Sequence, residues 1–203
     1  ELPAHAISQA IKRAGVDPAQ IEDVILGCAM QQGSTGGNVA RQALLRAGLP
    51  TTVSGMTIDR QCSSGLMAIA TAAKQIVEDG MQIAVAGGVE SISLVQNDKI
   101  NRFRGADPYL VKNIPQIYMT MIETAEIVAE RYGVSREAQD EYALLSQHPT
   151  GKAQAEGRYN DEIVPTTTIM TVTDKETGAT SEKEVTLKLD EGNRPKTALE
   201  DLQ

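Results

Sequence analysis

Alternation between two kinds of apolar segment constrains the fold of the first part of this chain most strongly. The runs VILGCAM (24–30) and MQIAVAGG (81–88) have the length of strands, and they lack the polar alternation of a strand with one wet face. Such continuous runs are typical of strands that are covered on both faces. Segments with helical spacing of apolar residues precede, separate and follow them. This order predicts an α/β fold in which helices cover a mainly parallel sheet.

The helical segments carry their own start and stop signals. Gly15 is placed to end the first helix, and Asn38 can cap the second. After a short alternating stretch, SGMTID (54–59), a helix that ends at Gly80 is predicted to follow Cys62. Its apolar residues fall on one stripe, and they are Leu66, Ile69, Ala70, Ala73, Ile76 and Val77.

The character of the chain changes after Ser91. The segment NDKINRFRGADPYLVKNIP (97–115) is polar and rich in turn residues, and it contains no strong helix or strand pattern. We therefore predict a domain boundary here, with a core domain at 1–91 and a second domain at 92–203.

The second domain is predicted to be α+β. Apolar residues at helical spacing predict one helix over 122–132, and Ser135 can cap another. Short strands with a glycine-containing turn are expected near the end of the chain, where polar residues alternate with Val185, Leu187 and Leu189.

Composition excludes several classes of partner. The net charge is −8, and no Lys/Arg block with interleaved aromatic residues occurs, so we expect no nucleic acid partner. No apolar run approaches the ~18 to 20 residues of a membrane span, so we expect no membrane partner. The two cysteines, Cys28 and Cys62, lie far apart in a chain without secretory features, which favours a reducing cytoplasm over a disulfide scaffold. No Cys/His spacing typical of a metal site is present.

Cys62 stands at the junction between a short strand and a helix. A thiol there lies beside unpaired backbone N–H groups at the positive end of the helix dipole, which favours the thiolate. Two serines and a glycine follow and keep the first turn narrow, so a substrate carbonyl can reach the sulfur. This arrangement is typical of an acyl-accepting nucleophile, and the alternative is a small buried residue that fills space. Cys28, inside an apolar run, is predicted to be part of the core.

The motif around Cys62 adds a family resemblance. DRQCSSGLMAI (59–69) resembles the nucleophile motif of thiolases, the enzymes that join or cleave 3-ketoacyl-CoA. VILGCAMQQG, GGNVARQALLRAGLP and AVAGGVESIS resemble the second strand, the following loop and helix, and the strand before an inserted loop domain. TAEIVAERYGVSREAQDEYALLSQ, EGRYNDEIVP and DEGNRPKTALEDL resemble that loop domain, which covers CoA. The resemblance spans nearly all 203 residues.

The resemblance implies roles for three residues. Cys62 would take an acyl group from one acyl-CoA and pass it to the carbanion of a second, or accept it from a 3-ketoacyl-CoA in the reverse direction. Arg194 matches an arginine that lies against the nucleotide end of CoA, and the alternative is a solvated surface arginine. Met121 matches a methionine beside the pantetheine and the thioester, and the alternative is a core methionine. Acyl-CoA and acetyl-CoA would be substrates, no cofactor is implied, and a homodimer or tetramer is expected.

The resemblance also predicts an incomplete thiolase-like fold. Thiolases open with a strand in the middle of the first sheet, and this chain begins after it, so 24–30 and 81–88 would lose a shared neighbour and leave unpaired edges. The histidine of a GHPxG-type motif, the cysteine of a CxGGG-type motif and the asparagine of an NEAFA-type motif belong to the C-terminal half, and none is found here. We expect a layered core that lacks its first strand and C-terminal half, an inserted α+β loop domain, and no turnover by this chain alone.

Other polar residues are predicted to be structural. His148, in QHPTG, echoes the GHPxG-type motif, but Pro149 would disrupt a continuing helix at a cost of ~3 kcal/mol, so we predict a surface histidine in a helix break. His5 is predicted to be a surface residue. Glu90 is predicted to anchor backbone amides beside a glycine turn, and Ser91 to be structural.

Two other functions stay open from the sequence. A β-ketoacyl synthase-like condensing enzyme also uses a cysteine at a strand-to-helix turn, although the long segment after AVAGGVESIS favours a thiolase. A non-catalytic CoA-binding scaffold subunit is the other alternative. The direction of the reaction and the acyl chain length also stay open.

Overall fold

The structure, a computed structural model, describes residues 1–202 of the chain, and its first part is a layered α/β unit. The strands are β1 (Asp23–Gly27), β2 (Ser54–Ile58) and β3 (Ala84–Gly88). The helices are α1 (Leu2–Ala14), α2 (Val39–Arg46), α3 (Ser64–Glu78) and α4 (Ile92–Val95), with short 3₁₀ helices at Pro18–Gln20 and Gly33–Thr35. The strand order is β2-β1-β3 and both pairs are parallel. The predicted α/β class with a parallel sheet is confirmed.

β1 is the central strand, and all five of its residues are buried. Ile25 pairs with Met56 of β2 on one side and with Ala86 of β3 on the other. The prediction that 24–30 and 81–88 would lack a neighbour between them and leave unpaired edges is therefore wrong for β1. Two apolar strands of equal length in matching register satisfy each other's backbone N–H and C=O groups directly, and the outer strands of this sheet are β2 and β3.

The predicted helix boundaries follow local signals. Gly15 adopts a left-handed conformation with φ of 65° directly after α1. The Asn38 side chain accepts a hydrogen bond of 3.2 Å from the N–H of Arg41 at the start of α2. α3 ends two residues before Gly80, whose φ is 76°. The caps predicted from these residue types are confirmed.

Helices pack on both faces of the sheet. On one face, α1 and α2 bury a cluster around Val24 and Leu26 of β1. On the other face, Ile25 contacts Ala68 and Ala72 of α3. The sheet-facing side of α3 is thus made of small residues, whereas the large residues of its predicted apolar stripe are exposed, namely Leu66, Ile69, Ile76 and Val77.

The first unit extends to Gly105 and the second begins at Ala106. This division lies further along the chain than Ser91, where the sequence pattern changes. Val95 of α4 is buried, and the N–H of Asn101 donates to the Gln32 side-chain oxygen at 2.8 Å. The residues after Ser91 therefore still pack within the first unit.

Over residues 106–202, the second unit contains three α-helices and a hairpin. The helices are α5 (Pro108–Asn113), α6 (Met121–Tyr132) and α7 (Arg136–Ala155), and the strands are β4 (Thr166–Thr173) and β5 (Thr180–Leu187). Short 3₁₀ helices lie at Pro115–Tyr118 and Leu199–Asp201. β4 and β5 are antiparallel, and the turn between them contains Gly178 with φ of 71°. The predicted strands with a glycine turn are confirmed, and so is the Ser135 cap, which accepts from the N–H of Ala138.

α7 corrects one prediction, because it runs through Pro149 without a break. Proline removes one amide donor, so no N–H at position 149 reaches the carbonyl of Leu145. Side-chain hydrogen bonds hold the helix on both sides of that gap. Thr150 Oγ1 donates to the carbonyl of Ser146 at 2.8 Å, and His148 Nε2 donates to the carbonyl of Thr197 at 2.9 Å.

Within residues 1–202, no helix is both long enough and apolar enough to cross a membrane.

Candidate active site

Three glycines bring the start of α3 against the carboxyl ends of two strands. A Cβ added to Gly27, the last residue of β1, would lie 2.1 Å from the carbonyl carbon of Ser64. A Cβ on Gly88, the last residue of β3, would lie 3.2 Å from the Cα of Gly65. Side chains at these positions would therefore push the helix away. The carboxyl ends of parallel strands are where sites form in α/β sheets, and the glycines place the start of α3 there.

The link between β2 and α3 is a tight turn over Asp59–Ser63 that carries Cys62. Gln61 has a φ of 51°, in the left-handed region that residues with a Cβ rarely adopt. The carboxylate of Asp59 accepts a hydrogen bond of 2.7 Å from the N–H of Gln61. The backbone immediately before Cys62 is thus held in a disfavoured conformation by a local hydrogen bond.

The Ser64 hydroxyl makes two further hydrogen bonds that stabilise this turn. It donates to the carbonyl of Gln61 at 2.6 Å and accepts from the N–H of Arg60 at 2.9 Å. The exposed fraction of Ser64 is only 5%, so the hydroxyl side of both bonds is shielded from water, whereas Arg60 and Gln61 are exposed residues. Ser63 differs, because it is exposed and its hydroxyl donates to the carbonyl of Arg60 at 2.9 Å.

Cys62 is an exposed free thiol directly before Ser63, the N-cap residue of α3. Its predicted place at a strand-to-helix junction is confirmed. The Ser63 side chain makes no capping hydrogen bond to α3. The Ser64 N–H already donates to the carbonyl of Gln61 at 3.0 Å, which leaves the amides of Gly65 and Leu66 in the first turn for a bound group next to the thiol. An exposed thiol beside such donors can accept an acyl group and stabilise an oxyanion.

Cys28 and Glu90 have structural roles, as predicted. Cys28 is 1% exposed, and burial together with the negative charge of Glu90 raises the pKa of its thiol. The Glu90 carboxylate accepts from the N–H of Ala29 at 2.8 Å and from the Cys28 Sγ at 3.5 Å. Glu90, just after β3, therefore anchors the loop that follows β1.

Arg194 lies in the second unit on a segment that is seated on α7. Its N–H donates to the Gln147 side-chain oxygen at 2.7 Å, and its Nη1 donates to the carbonyl of Glu191 at 2.8 Å. Gly151 permits this seating, because a Cβ there would lie 2.4 Å from the Pro195 Cβ. A cavity of about 420 Å³ is lined by Asn193, Arg194, Pro195, Lys196, Thr197 and Asp201.

The other predicted residues lie on the surface of their units. Met121 begins α6 and is 71% exposed, so it is not part of the core of its own unit. His148 is exposed on α7. Cys62 belongs to the first unit, whereas Met121 and Arg194 belong to the second. Within residues 1–202, no group of three or more His, Cys, Asp or Glu side chains could hold a metal ion.

Comparison with known proteins decides the family. The family model described as "Thiolase, N-terminal domain" matches residues 1–203 of this chain. The chain belongs to the thiolase family. It is 42% identical over 198 residues to the 3-ketoacyl-CoA thiolase of Bacillus subtilis strain 168, covering 97% of this chain and 50% of that protein.

Two further relatives agree with this thiolase membership. The acetyl-CoA acetyltransferase of Cupriavidus necator is 42% identical over 177 residues, covering 81% of this chain and 44% of that protein. The 3-oxoadipyl-CoA/3-oxo-5,6-dehydrosuberyl-CoA thiolase of Escherichia coli K12 is 40% identical over 209 residues, covering 95% of this chain and 49% of that protein. The thiolase chain thus spans about half the length of the curated relatives it matches.

Two features of this thiolase site were not predicted from the sequence. One is the left-handed Gln61, because glutamine gives no signal for positive φ. The other is the clamp formed by the Ser64 hydroxyl, since the sequence does not distinguish its role from that of Ser63. A partial signal existed for the close approach of α3 to the sheet, because Gly27 lies inside one strand-type apolar run and Gly88 ends the other.

Proposed function

We propose that this chain carries the nucleophile of a thiolase-type acyltransferase, and that the nucleophile is Cys62. The observation that carries the proposal is an exposed thiol directly before the N-cap of α3, on a clamped turn next to the carboxyl ends of the sheet. The names of the relatives support CoA thioesters as substrates, including acetyl-CoA and 3-ketoacyl-CoA. The chemistry of the proposed reaction needs no redox cofactor.

The proposed reaction proceeds through an acyl thioester. The Cys62 thiolate attacks the carbonyl carbon of an acyl-CoA, and the resulting oxyanion accepts hydrogen bonds from backbone amides such as that of Cys62. The C–S bond to CoA breaks, and CoA leaves as a thiolate that takes up a proton. The α-carbanion of a second acyl-CoA then attacks the thioester, which yields a 3-ketoacyl-CoA and returns the Cys62 thiolate. Cleavage of a 3-ketoacyl-CoA is the same sequence in reverse.

Two proton transfers remain for other groups. One base must take the thiol proton, and one must take the α-proton of the second substrate. The thiolase resemblance assigns both to a histidine and a second cysteine of the C-terminal half. We therefore propose that the 203-residue chain alone does not turn over.

Arg194 and Met121 are the proposed CoA-contacting residues. The exposed guanidinium of Arg194 lies beside the 420 Å³ cavity and offers a planar cation to phosphate. Met121 offers an exposed thioether to the pantetheine arm. By analogy with the family we also propose a homodimer or tetramer in a reducing cytoplasm.

Acetylation of the complete protein tests the assignment. With acetyl-CoA alone, intact mass spectrometry should show one added acetyl group, and peptide mapping should place it on Cys62. Cys62→Ala should abolish both this adduct and turnover, whereas Cys28→Ala, the matched control, should keep the adduct. An unchanged turnover in Cys62→Ala would refute the proposal and favour the scaffold function. An acetyl group accepted from acyl carrier protein but not from CoA would favour the condensing-enzyme alternative.

A further inference from the structure

The backbone before Cys62 needs something to hold it. Among residues 1–202, three non-glycine residues have positive φ, and Gln61 is the one that adjoins the thiol. Without compensation, a residue with a Cβ returns to negative φ. Such a change at Gln61 would rotate the peptide that leads into Cys62 and redirect its side chain.

The Ser64 hydroxyl is placed to hold that conformation. It donates to the Gln61 carbonyl at 2.6 Å and accepts from the Arg60 N–H at 2.9 Å, so one oxygen ties two successive residues of the turn. Asp59 adds a hydrogen bond to the Gln61 N–H at 2.7 Å, but this carboxylate is exposed. Water competes with an exposed hydrogen bond more than with a buried one. The Ser64 N–H also donates to the Gln61 carbonyl at 3.0 Å, and the hydroxyl adds the one less exposed side-chain contact that joins Gln61 to the Arg60 amide.

Ser64 itself is fixed from the other side. The Gly27 backbone approaches so closely that a Cβ there would overlap the carbonyl group of Ser64. β1, which carries Gly27, is paired on both sides and buried. A rigid strand thus sets the position of Ser64, and the Ser64 hydroxyl passes that position on to the turn.

We propose that Ser64 is a positioning residue for the nucleophile, and that its buried hydroxyl keeps Gln61 left-handed and the Cys62 thiol aimed at the substrate carbonyl. This inference rests on the proposed role of Cys62. The hydroxyl takes no part in proton transfer, because its proton is donated to the Gln61 carbonyl.

Variants that change only the hydroxyl test the proposal in the complete protein. Ser64→Ala should lower kcat about 100-fold with KM nearly unchanged, because positioning errors near 1 Å cost about that much. Threonine and valine side chains have nearly equal volumes, but only threonine has a hydroxyl. Ser64→Thr should therefore keep most of the wild-type kcat, whereas Ser64→Val should lose as much kcat as Ser64→Ala. Thr71→Val is the matched control, since it removes another α3 hydroxyl, which donates to the Met67 carbonyl at 2.8 Å, and it should leave kcat near wild type.

A second readout does not depend on turnover. The rate of iodoacetamide alkylation at Cys62, measured by mass spectrometry, should fall about fivefold in Ser64→Ala, because the thiolate moves away from the N-terminus of α3 that stabilises it. In Thr71→Val the alkylation rate should equal that of the wild type. Thermal melts show whether each variant is folded.

The outcomes separate this inference from the proposed function. If Cys62→Ala is inactive while Ser64→Ala matches Thr71→Val in kcat and alkylation, the positioning role is overturned and the function stands. If Ser64→Thr and Ser64→Val behave alike, side-chain volume controls kcat and the hydroxyl role is overturned. If Cys62→Ala keeps full activity, the proposed function fails, and the alkylation rates alone decide whether Ser64 places the thiol.

Discussion

Gly27→Ala should separate α3 from the sheet and disable the site. The added Cβ would lie 2.1 Å from the Ser64 carbonyl carbon, 2.2 Å from its oxygen and 2.4 Å from the Gly65 nitrogen. All three are backbone atoms, so no flexible side chain can move aside. β1 is held by a strand on each side, which leaves α3 as the element that must shift.

The size of the shift sets the expected effect. Ordinary van der Waals contact begins at 3.4 Å, so Ser64 must retreat by about 1.3 Å, the difference from 2.1 Å. Overpacking of a buried contact costs about 1 to 3 kcal/mol, and a clash with backbone belongs at the upper end, near 3 kcal/mol. For a folding unit of 150 to 250 residues this lowers Tm by roughly 6 to 12 °C, and a longer protein should show a smaller shift in the same direction. A shift above 1 Å next to the nucleophile should also lower kcat about 100-fold.

Calorimetry and steady-state kinetics on the complete protein measure both effects. Gly87→Ala is the matched control, because a Cβ there meets only the Leu26 Cδ2 at 3.9 Å, which is ordinary contact. Gly87→Ala should melt within about 2 °C of wild type, the effect of less than 1 kcal/mol. If Gly27→Ala and Gly87→Ala had the same Tm and kcat, the close seating of α3 on β1 would be disproved.

Three further outcomes are expected. Iodoacetamide at pH 7 should modify exposed Cys62 at least about tenfold faster than Cys28, since Cys28 is buried and the pKa of its thiol is raised by burial and by a neighbouring carboxylate. Hydrogen bonds from the backbone N–H and hydroxyl of Thr120 lower the pKa of Glu123, so its stabilisation should be complete above the unfolded pKa of ~4.3 and be lost as pH falls through the lower folded value. In thermal melts, Glu123→Ala should therefore lower Tm at pH 7 and have no effect in strong acid. Arg194→Ala should raise KM for CoA substrates about tenfold with kcat nearly unchanged in steady-state assays.

Each of these has a control and a contrary result. In urea the two cysteines should react alike, and equal rates in the folded protein would contradict the burial of Cys28. Glu126→Ala on the same helix should not reproduce the pH-dependent loss of Tm seen for Glu123→Ala. Lys183→Ala, which removes an exposed cation from β5, should leave KM unchanged. A similar rise in KM for both cation variants would indicate a general charge effect.

Local signals were enough to predict much of the fold. Gly15, Asn38 and Ser135 end or cap helices through their own backbone freedom or side-chain oxygens. The strand-type runs and the place of Cys62 between strand and helix were predicted for the same reason, because they depend on residues close together in the chain.

The sequence-based predictions failed where contacts between residues far apart in the chain determine the local structure. β1 pairs directly with β3 because two remote segments match in length and register. α7 continues through Pro149, and His148 beside it contacts the carbonyl of Thr197, which lies far along the chain. The left-handed Gln61 depends on Ser64, which the strand carrying Gly27 holds in place. A hydrophobic pattern along the sequence contains no information about such contacts between distant residues.

The small sheet-facing side of α3 also has a consequence for handling the protein. Because alanines face the sheet, the opposite side of α3 exposes an apolar surface to water, formed by Leu66, Ile69, Ile76 and Val77. Wetting apolar surface costs about 25 cal/mol for each Å². Sulfate and other salts excluded from protein surfaces raise that cost. Preparations of this chain should therefore precipitate early in ammonium sulfate, and mild detergent should keep them dispersed.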